Sequence, residues 1–140
     1  MAVGADLALP AGQAPIDPDD LMLERGWEPW RAYMQSKLAQ VMFTRSLAER
    51  LDPGEVTATA LHPATFMDTP MVRSFTEPAS TAEEGADATV RLAVDPGLGG
   101  VSGVYFDGRE ETAPHPQAGD HRMRDWLWKA SERLTGARAD

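Results

Sequence analysis

The chain of 140 residues contains no cysteine. This excludes disulfide bonds and cysteine-ligated metal sites, and it is typical of proteins from a reducing compartment. Basic residues are also scarce, with 13 Lys and Arg against 22 Asp and Glu and a net charge of −9. A surplus of negative charge disfavours contact with nucleic acid or an anionic membrane. The composition therefore predicts neither a nucleic-acid partner nor a membrane partner.

Long apolar runs are missing as well. No segment approaches the ~20 apolar residues that a membrane-spanning helix needs, and the first residues lack the basic and apolar regions of a signal peptide. We therefore expect a cytoplasmic protein. The three histidines, His62, His115 and His121, are too far apart in sequence to suggest a metal site.

The glycine-rich turn of a dinucleotide-binding site is a further absence. Neither GxGxxG nor GxxxGxG occurs in the chain. The Gly-Leu-Gly-Gly stretch at 97–100 follows a predicted helix and precedes a predicted strand, which is the wrong order for phosphate binding. It is interpreted as a turn.

What is present is an alternation of strands and helices. Hydrophobic periodicity, turn residues and capping signals predict a short helix near residues 70–74 and three longer ones. Such alternation favours an α/β layer with parallel strands. The predicted strands are residues 2–9, 56–61 and 103–107, and the longer helices are residues 30–51, 80–94 and 120–134.

The helix at 30–51 carries the residues most suggestive of chemistry. Tyr33 and Lys37 are four residues apart, so both side chains lie on one helix face. A neighbouring cation favours the phenolate and lowers the pKa of a tyrosine, which would allow proton transfer near neutral pH. On spacing alone, the commoner interpretation is an exposed tyrosine and a solvated lysine.

The residues around this pair make the pattern specific. YMQSK at 33–37 includes Ser36 and precedes an apolar run, and the predicted second strand continues into LHPATFMDTPM at 61–71. Together they resemble the active-site helix and following loop of the short-chain dehydrogenase/reductase family. The segments at 11–26 and 103–136 resemble its retinol-dehydrogenase-like or protochlorophyllide-reductase-like branch.

This resemblance implies the fold of one partial domain spanning residues 1–140. The expected fold class is α/β, the C-terminal half of a Rossmann-like doubly wound parallel sheet with about three strands and flanking helices. The N-terminal dinucleotide-binding half would be absent. Residues 1–29 would form the lead-in, 30–51 the active-site helix, and 52–140 the remaining strands, substrate loop and C-terminal helix.

The resemblance also implies roles for five residues. Tyr33 would be the general acid that protonates a substrate carbonyl as hydride arrives, or the base in the reverse direction. Lys37 would bind the nicotinamide ribose and lower the pKa of Tyr33. Pro63, Thr65 and Thr69 would line the nicotinamide side of the site. The implied cofactor is NAD or NADP, and the substrate a small carbonyl or alcohol.

Three departures from the family pattern qualify these roles. Ala64 replaces a usual glycine, Thr69 lies one residue later than the common spacing, and Pro10 stands where the family places its catalytic serine. Two hypotheses follow. The first is an NAD(P)-dependent oxidoreductase that is weak or inactive as an isolated chain. The second is a non-catalytic, truncated remnant that serves at most as a dimerisation or interaction module.

The helix at 30–51 bears on the second hypothesis. Apolar residues occupy more than one of its faces, with Met34, Leu38, Val41 and Met42 accompanied by Phe43. A helix with a single buried side shows one apolar stripe. We therefore expect this helix to be buried on two sides and to support a homo-oligomer.

Overall fold

The computed structural model describes residues 14–138. The strand predicted at 2–9 and Pro10, which stands at the family's serine position, lie outside these residues. The described elements alternate as predicted along most of the chain. They are α1 (Pro29–Ala48), β1 (Ala60–His62), α2 (Pro70–Arg73), α3 (Ala82–Val94), β2 (Tyr105–Asp107), β3 (Glu110–Glu111) and α4 (His121–Thr135), with 3-10 turns at Pro96–Leu98 and Pro116–Gly119.

Helix α1 forms where the sequence predicts it but ends three residues early. Pro29 opens the helix, and the Glu28 carboxylate accepts hydrogen bonds from the first free backbone N–H groups, those of Trp30 and Arg31. The helix ends at Ala48 rather than Leu51. After the Glu49 cap the chain tightens into a turn, in which the Arg50 N–H donates to the Leu47 carbonyl at 2.9 Å.

The sheet is mixed rather than wholly parallel. β1 and β2 pair in parallel, with Ala60 opposite Tyr105, as the alternation predicts. β3 pairs antiparallel with β2, in a segment predicted to be a loop. The tight turn at Gly108, with a positive φ of 56°, lets the chain fold back immediately. A wholly parallel arrangement is therefore wrong for the described strands.

The second predicted strand is shorter than expected. The ladder covers Ala60–His62 instead of 56–61, and Val56 is 55% exposed. The Asp52 carbonyl accepts a hydrogen bond from the Val56 N–H, which holds the start of this segment in a surface turn. Extended backbone contact begins at Ala58, whose carbonyl accepts from the Gly103 N–H at 2.8 Å.

Helices cover both faces of this sheet and form two apolar clusters. The larger cluster lies on the α1 and α4 side, and the smaller one on the α3 side. Burial of these side chains is the main force that holds the layers together. The larger cluster comprises Ile16, Leu38, Val41, Met42, Ala60, Tyr105, Ala118 and Leu127, and the smaller Leu61, Ala88 and Phe106.

The ends of α3 and α4 agree with their sequence signals. Thr81 and Glu84 form the predicted capping box at the start of α3. Asp120 caps α4, and Gly136 ends it in the left-handed conformation with φ of 73°. Within residues 14–138, no helix is both long and apolar enough to cross a membrane.

Helix α1 is not buried on all sides. Leu38 and Met42 are fully buried against the sheet and α4, whereas Ser36, Gln40 and Phe43 form an exposed stripe. The expectation of burial on two sides is correct for the sheet and for α4. The third side is covered only in part, because Trp128 of α4 stacks on Phe43 and still leaves that side chain 51% exposed.

Candidate active site

Tyr33 and Lys37 lie one turn apart on α1, as their spacing predicts. The Lys37 Nζ lies 5.2 Å from the centre of the Tyr33 ring, over its face. The same Nζ donates to the Gln40 Oε1 at 3.4 Å. The ammonium therefore interacts with the π face of Tyr33, a favourable cation–π arrangement.

The pKa values of the pair shift in the direction set by burial. Partial burial raises the pKa of Tyr33 and lowers the pKa of Lys37, because burial penalises the charged form of each side chain. The Tyr33 pKa is thus raised in the described chain, where the neighbouring cation led us to expect a lowered one. The lowering of the Tyr33 pKa by Lys37 in a complete site stays a prediction.

Thr65 lies in the loop that follows β1 and is held at two points. Its Oγ1 is 3.1 Å from the Nε2 of His62, the last residue of β1. Its carbonyl accepts a hydrogen bond from the Ser80 hydroxyl at 2.6 Å. Neither His62 nor Ser80 was singled out for this role by the sequence, because both contacts depend on how the loop folds back.

Thr69 and Pro63 occupy different surroundings. Thr69 is the N-cap of α2, and its hydroxyl accepts from the Val72 N–H at 3.3 Å. Pro63 lines an open depression of about 410 Å³ on the α3 side, together with Asp107 and Arg109. The structure thus gives Thr69 a capping role, and the cofactor contacts of Pro63, Thr65 and Thr69 stay predictions.

A row of aromatic rings joins α1 to the loop after β1. Edge-to-face contacts connect Tyr33 to Trp30 at 6.0 Å, Trp30 to Phe75 at 5.9 Å, and Phe75 to Phe66 at 6.1 Å between ring centres. Separations and angles of this kind are favourable for aromatic pairs. The three-residue spacing of Trp30 and Tyr33 was readable from the sequence, but the approach of Phe66 and Phe75 was not.

The polar groups of Tyr33 and Lys37 fit the ribose end of a nicotinamide nucleotide. The Tyr33 hydroxyl has no hydrogen-bond partner among residues 14–138, and Lys37 uses one of its three N–H donors on Gln40. A ribose diol offers the oxygens that such donors require. Along residues 14–138 no glycine-rich turn leads from a strand into a helix, so the fit extends to the ribose end alone.

Comparison with known proteins places this geometry in a family, although no protein-family model matches the chain. Human retinol dehydrogenase 13 is 39% identical, over 89% of this chain and 42% of that protein. Human retinol dehydrogenase 12 is 35% identical, over 85% and 40%. The zebrafish WW domain-containing oxidoreductase is 35% identical, over 77% and 29%.

A solved structure shares the fold of this chain. A protein of undescribed function from Mycobacterium paratuberculosis superposes with a TM-score of 0.66 at 28% identity, over 89% of this chain and 46% of that one. The chain belongs to the short-chain dehydrogenase/reductase family and corresponds to its C-terminal half. It spans about two fifths of the length of the retinol dehydrogenases that it matches.

Proposed function

We propose that this chain carries the acid/base half of an NAD(P)-dependent oxidoreductase that interconverts a carbonyl and an alcohol. The observation that carries the proposal is the Tyr33–Lys37 pair on α1, whose hydroxyl and two of whose ammonium donors make no hydrogen bond to residues 14–138. A bound nicotinamide would supply or accept the hydride. Tyr33 would give its phenolic proton to the carbonyl oxygen, and Lys37 would hold the ribose.

We also propose that the isolated chain is weak or inactive. Burial raises the Tyr33 pKa, away from the range in which a phenol exchanges protons near neutral pH. Hydride transfer further demands precise placement of both reactants. A ribose contact alone, without a phosphate cradle, supplies little of that placement.

NADPH fluorescence titration of the purified 140-residue protein tests cofactor binding. We expect no saturation in the micromolar range, and the Lys37→Gln variant should then match the unmodified protein. Saturable micromolar binding that Lys37→Gln weakens would show that the chain holds the cofactor by itself, and the weak or inactive proposal would be wrong.

Ultraviolet titration of the phenols tests the electrostatics of the pair. We expect Tyr33 to ionise above the ordinary value of about 10, and Tyr33→Phe identifies its part of the absorbance change. Lys37→Gln should move that transition little, because the ammonium lies over the ring face. A Tyr33 transition well below 10 that moves upward in Lys37→Gln would show that the pair is already activated.

Self-association through α1 is a second proposal, favoured by the exposed stripe on that helix. Phe43 is 51% exposed and stacks on Trp128 of α4 at 5.3 Å. Both residues line a cavity of about 240 Å³ between the two helices. Light scattering at tens of micromolar should give a dimer that Phe43→Ser disrupts, and a monodisperse monomer would contradict it.

A further inference from the structure

The backbone at Phe66 has a conformation that its side chain disfavours. Phe66 has a positive φ of 44°, in the left-handed region. A bulky residue rarely adopts this region, because its Cβ crowds the neighbouring carbonyl. Such strain persists only where the surroundings enforce it, and it concentrates at binding and catalytic sites. The position of Phe66 in the loop between β1 and α2 is therefore informative.

The segment before α3 enforces this conformation from both sides. The Ser80 hydroxyl donates to the Thr65 carbonyl at 2.6 Å, and the Ala79 N–H donates to the Phe66 carbonyl at 3.0 Å. The two peptide groups that flank the Phe66 Cα are thus both tied to residues 79–80. Rotation of Phe66 to an ordinary negative φ would break at least one of these hydrogen bonds.

The enforced conformation places the Phe66 ring at one end of the aromatic row. Phe66 contacts Phe75, Phe75 contacts Trp30, and Trp30 contacts Tyr33, all edge to face. Phe75 is 50% exposed and Trp30 is 42% exposed. The row therefore offers solvent-accessible ring surface beside the proposed proton donor rather than a closed core.

We infer that Phe66 is a specificity-determining residue, which sets this row to receive the flat, unsaturated ring of a substrate whose alcohol or carbonyl meets Tyr33. The inference rests on the proposed oxidoreductase function and names the substrate class of the same site. A ring gains edge-to-face geometry from the row in addition to apolar burial. A flexible alkyl chain gains only burial and loses rotational freedom when it is ordered.

The test compares the binding of 2-naphthalenemethanol and 1-octanol to the 140-residue protein by titration in saturation-transfer NMR. We expect the naphthyl alcohol to bind more tightly. Phe66→Ala should weaken its affinity by about 3- to 10-fold, the range that one aromatic pair contributes. Octanol affinity should change by less than about 2-fold, because an alkyl chain makes no edge-to-face ring contact with the row.

Two further variants separate recognition from folding. Phe66→Gly relieves the strained φ that Phe66→Ala keeps, so it should have the higher thermal midpoint of the two variants while it lowers naphthyl affinity as Phe66→Ala does. Phe43→Ala removes a half-exposed phenylalanine that stacks elsewhere, on Trp128, and should leave both affinities unchanged. An unchanged affinity ratio in both Phe66 variants, or an equal loss in Phe43→Ala, would overturn the inference.

Turnover with NADP is measured separately, so that the two proposals fail in different ways. A naphthyl preference that depends on Phe66 without any turnover supports the binding role and shows that the isolated chain does not transfer hydride, as the proposal of a weak or inactive chain expects. Turnover with equal preference for the two alcohols in the unmodified protein and in Phe66→Ala supports the oxidoreductase and overturns the role of Phe66.

Discussion

Helix α1 and the segment at 63–80 both contribute to the candidate site, but they are held in opposite ways. α1 is fixed by apolar burial, with Leu38 and Met42 fully inaccessible. The segment at 63–80 buries one large aliphatic side chain, Val72, and depends on hydrogen bonds, caps and a strained backbone. The difference shows that the site combines a rigid, core-anchored pair with a loop whose shape is set by polar contacts.

The largest loss of stability should come from a substitution in the apolar core that fixes α1. Leu38→Ala removes a fully buried side chain between the sheet and α4. Such truncations cost about 2–5 kcal/mol, because transfer energy is lost and a cavity remains. Urea unfolding measures the change. Ser36→Ala, on the exposed side of the same helix, is the control and should change stability by less than ~0.5 kcal/mol.

A smaller loss of stability is expected from a substitution where the loop contacts α3. A Cβ at Gly85 would lie 2.0 Å from the Met67 Sδ, so Gly85→Ala forces Met67 away. We expect a cost of about 1–3 kcal/mol and faster hydrogen exchange in the loop at 64–80 than in α1.

The matched control for this prediction is Gly119→Ala, where a Cβ would meet nothing within 4 Å. Adding Met67→Ala to Gly85→Ala should recover part of the loss, because the clash is removed. Equal exchange rates in α1 and in the loop would show that the two regions unfold as one unit, contrary to the comparison.

A substitution at the junction between the loop and α3 should lower the stability less than Gly85→Ala does. Thr81→Ala removes the hydroxyl that accepts from the Glu84 N–H, and with it half of the capping box. Loss of such a cap costs about 1 kcal/mol. Thermal unfolding measures this loss. Thr112→Ala is the control, because it removes a hydroxyl that makes a 3.3 Å hydrogen bond on the surface, and it should leave the thermal midpoint nearly unchanged.

The smallest effect is expected at the exposed Asp68–Arg73 pair. The hydrogen bond from Arg73 holds the pKa of Asp68 below its usual value. Its stabilising contribution is therefore present above the ordinary value of ~3.9 and is lost as the pH falls through the lowered pKa. Stability curves of Arg73→Gln and the unmodified protein should differ slightly at neutral pH and converge in acid, because exposed pairs contribute little. A large difference would mean that this pair, and not the segment at 79–80, holds the loop.

Prediction from sequence succeeded for elements that depend on local signals. The starts of α1 and α3 follow from Pro29 and the Thr81–Glu84 box, and the end of α4 from Gly136, each of which acts on its own neighbours. The parallel pairing of two strands followed from the alternation. The antiparallel third strand was missed, because Glu110–Glu111 carries no strand periodicity and pairs only after the turn at Gly108.

Local patterns in the amino-acid sequence predict the family, the α/β class and the placement of Tyr33 and Lys37 on one helix face, because four-residue spacing is a property of the helix alone. The direction of the Tyr33 pKa shift, the two hydrogen bonds of Thr65 and the strained Phe66 at the end of the aromatic row arise when the chain folds. These depend on desolvation and on contacts between distant segments, which no local pattern encodes.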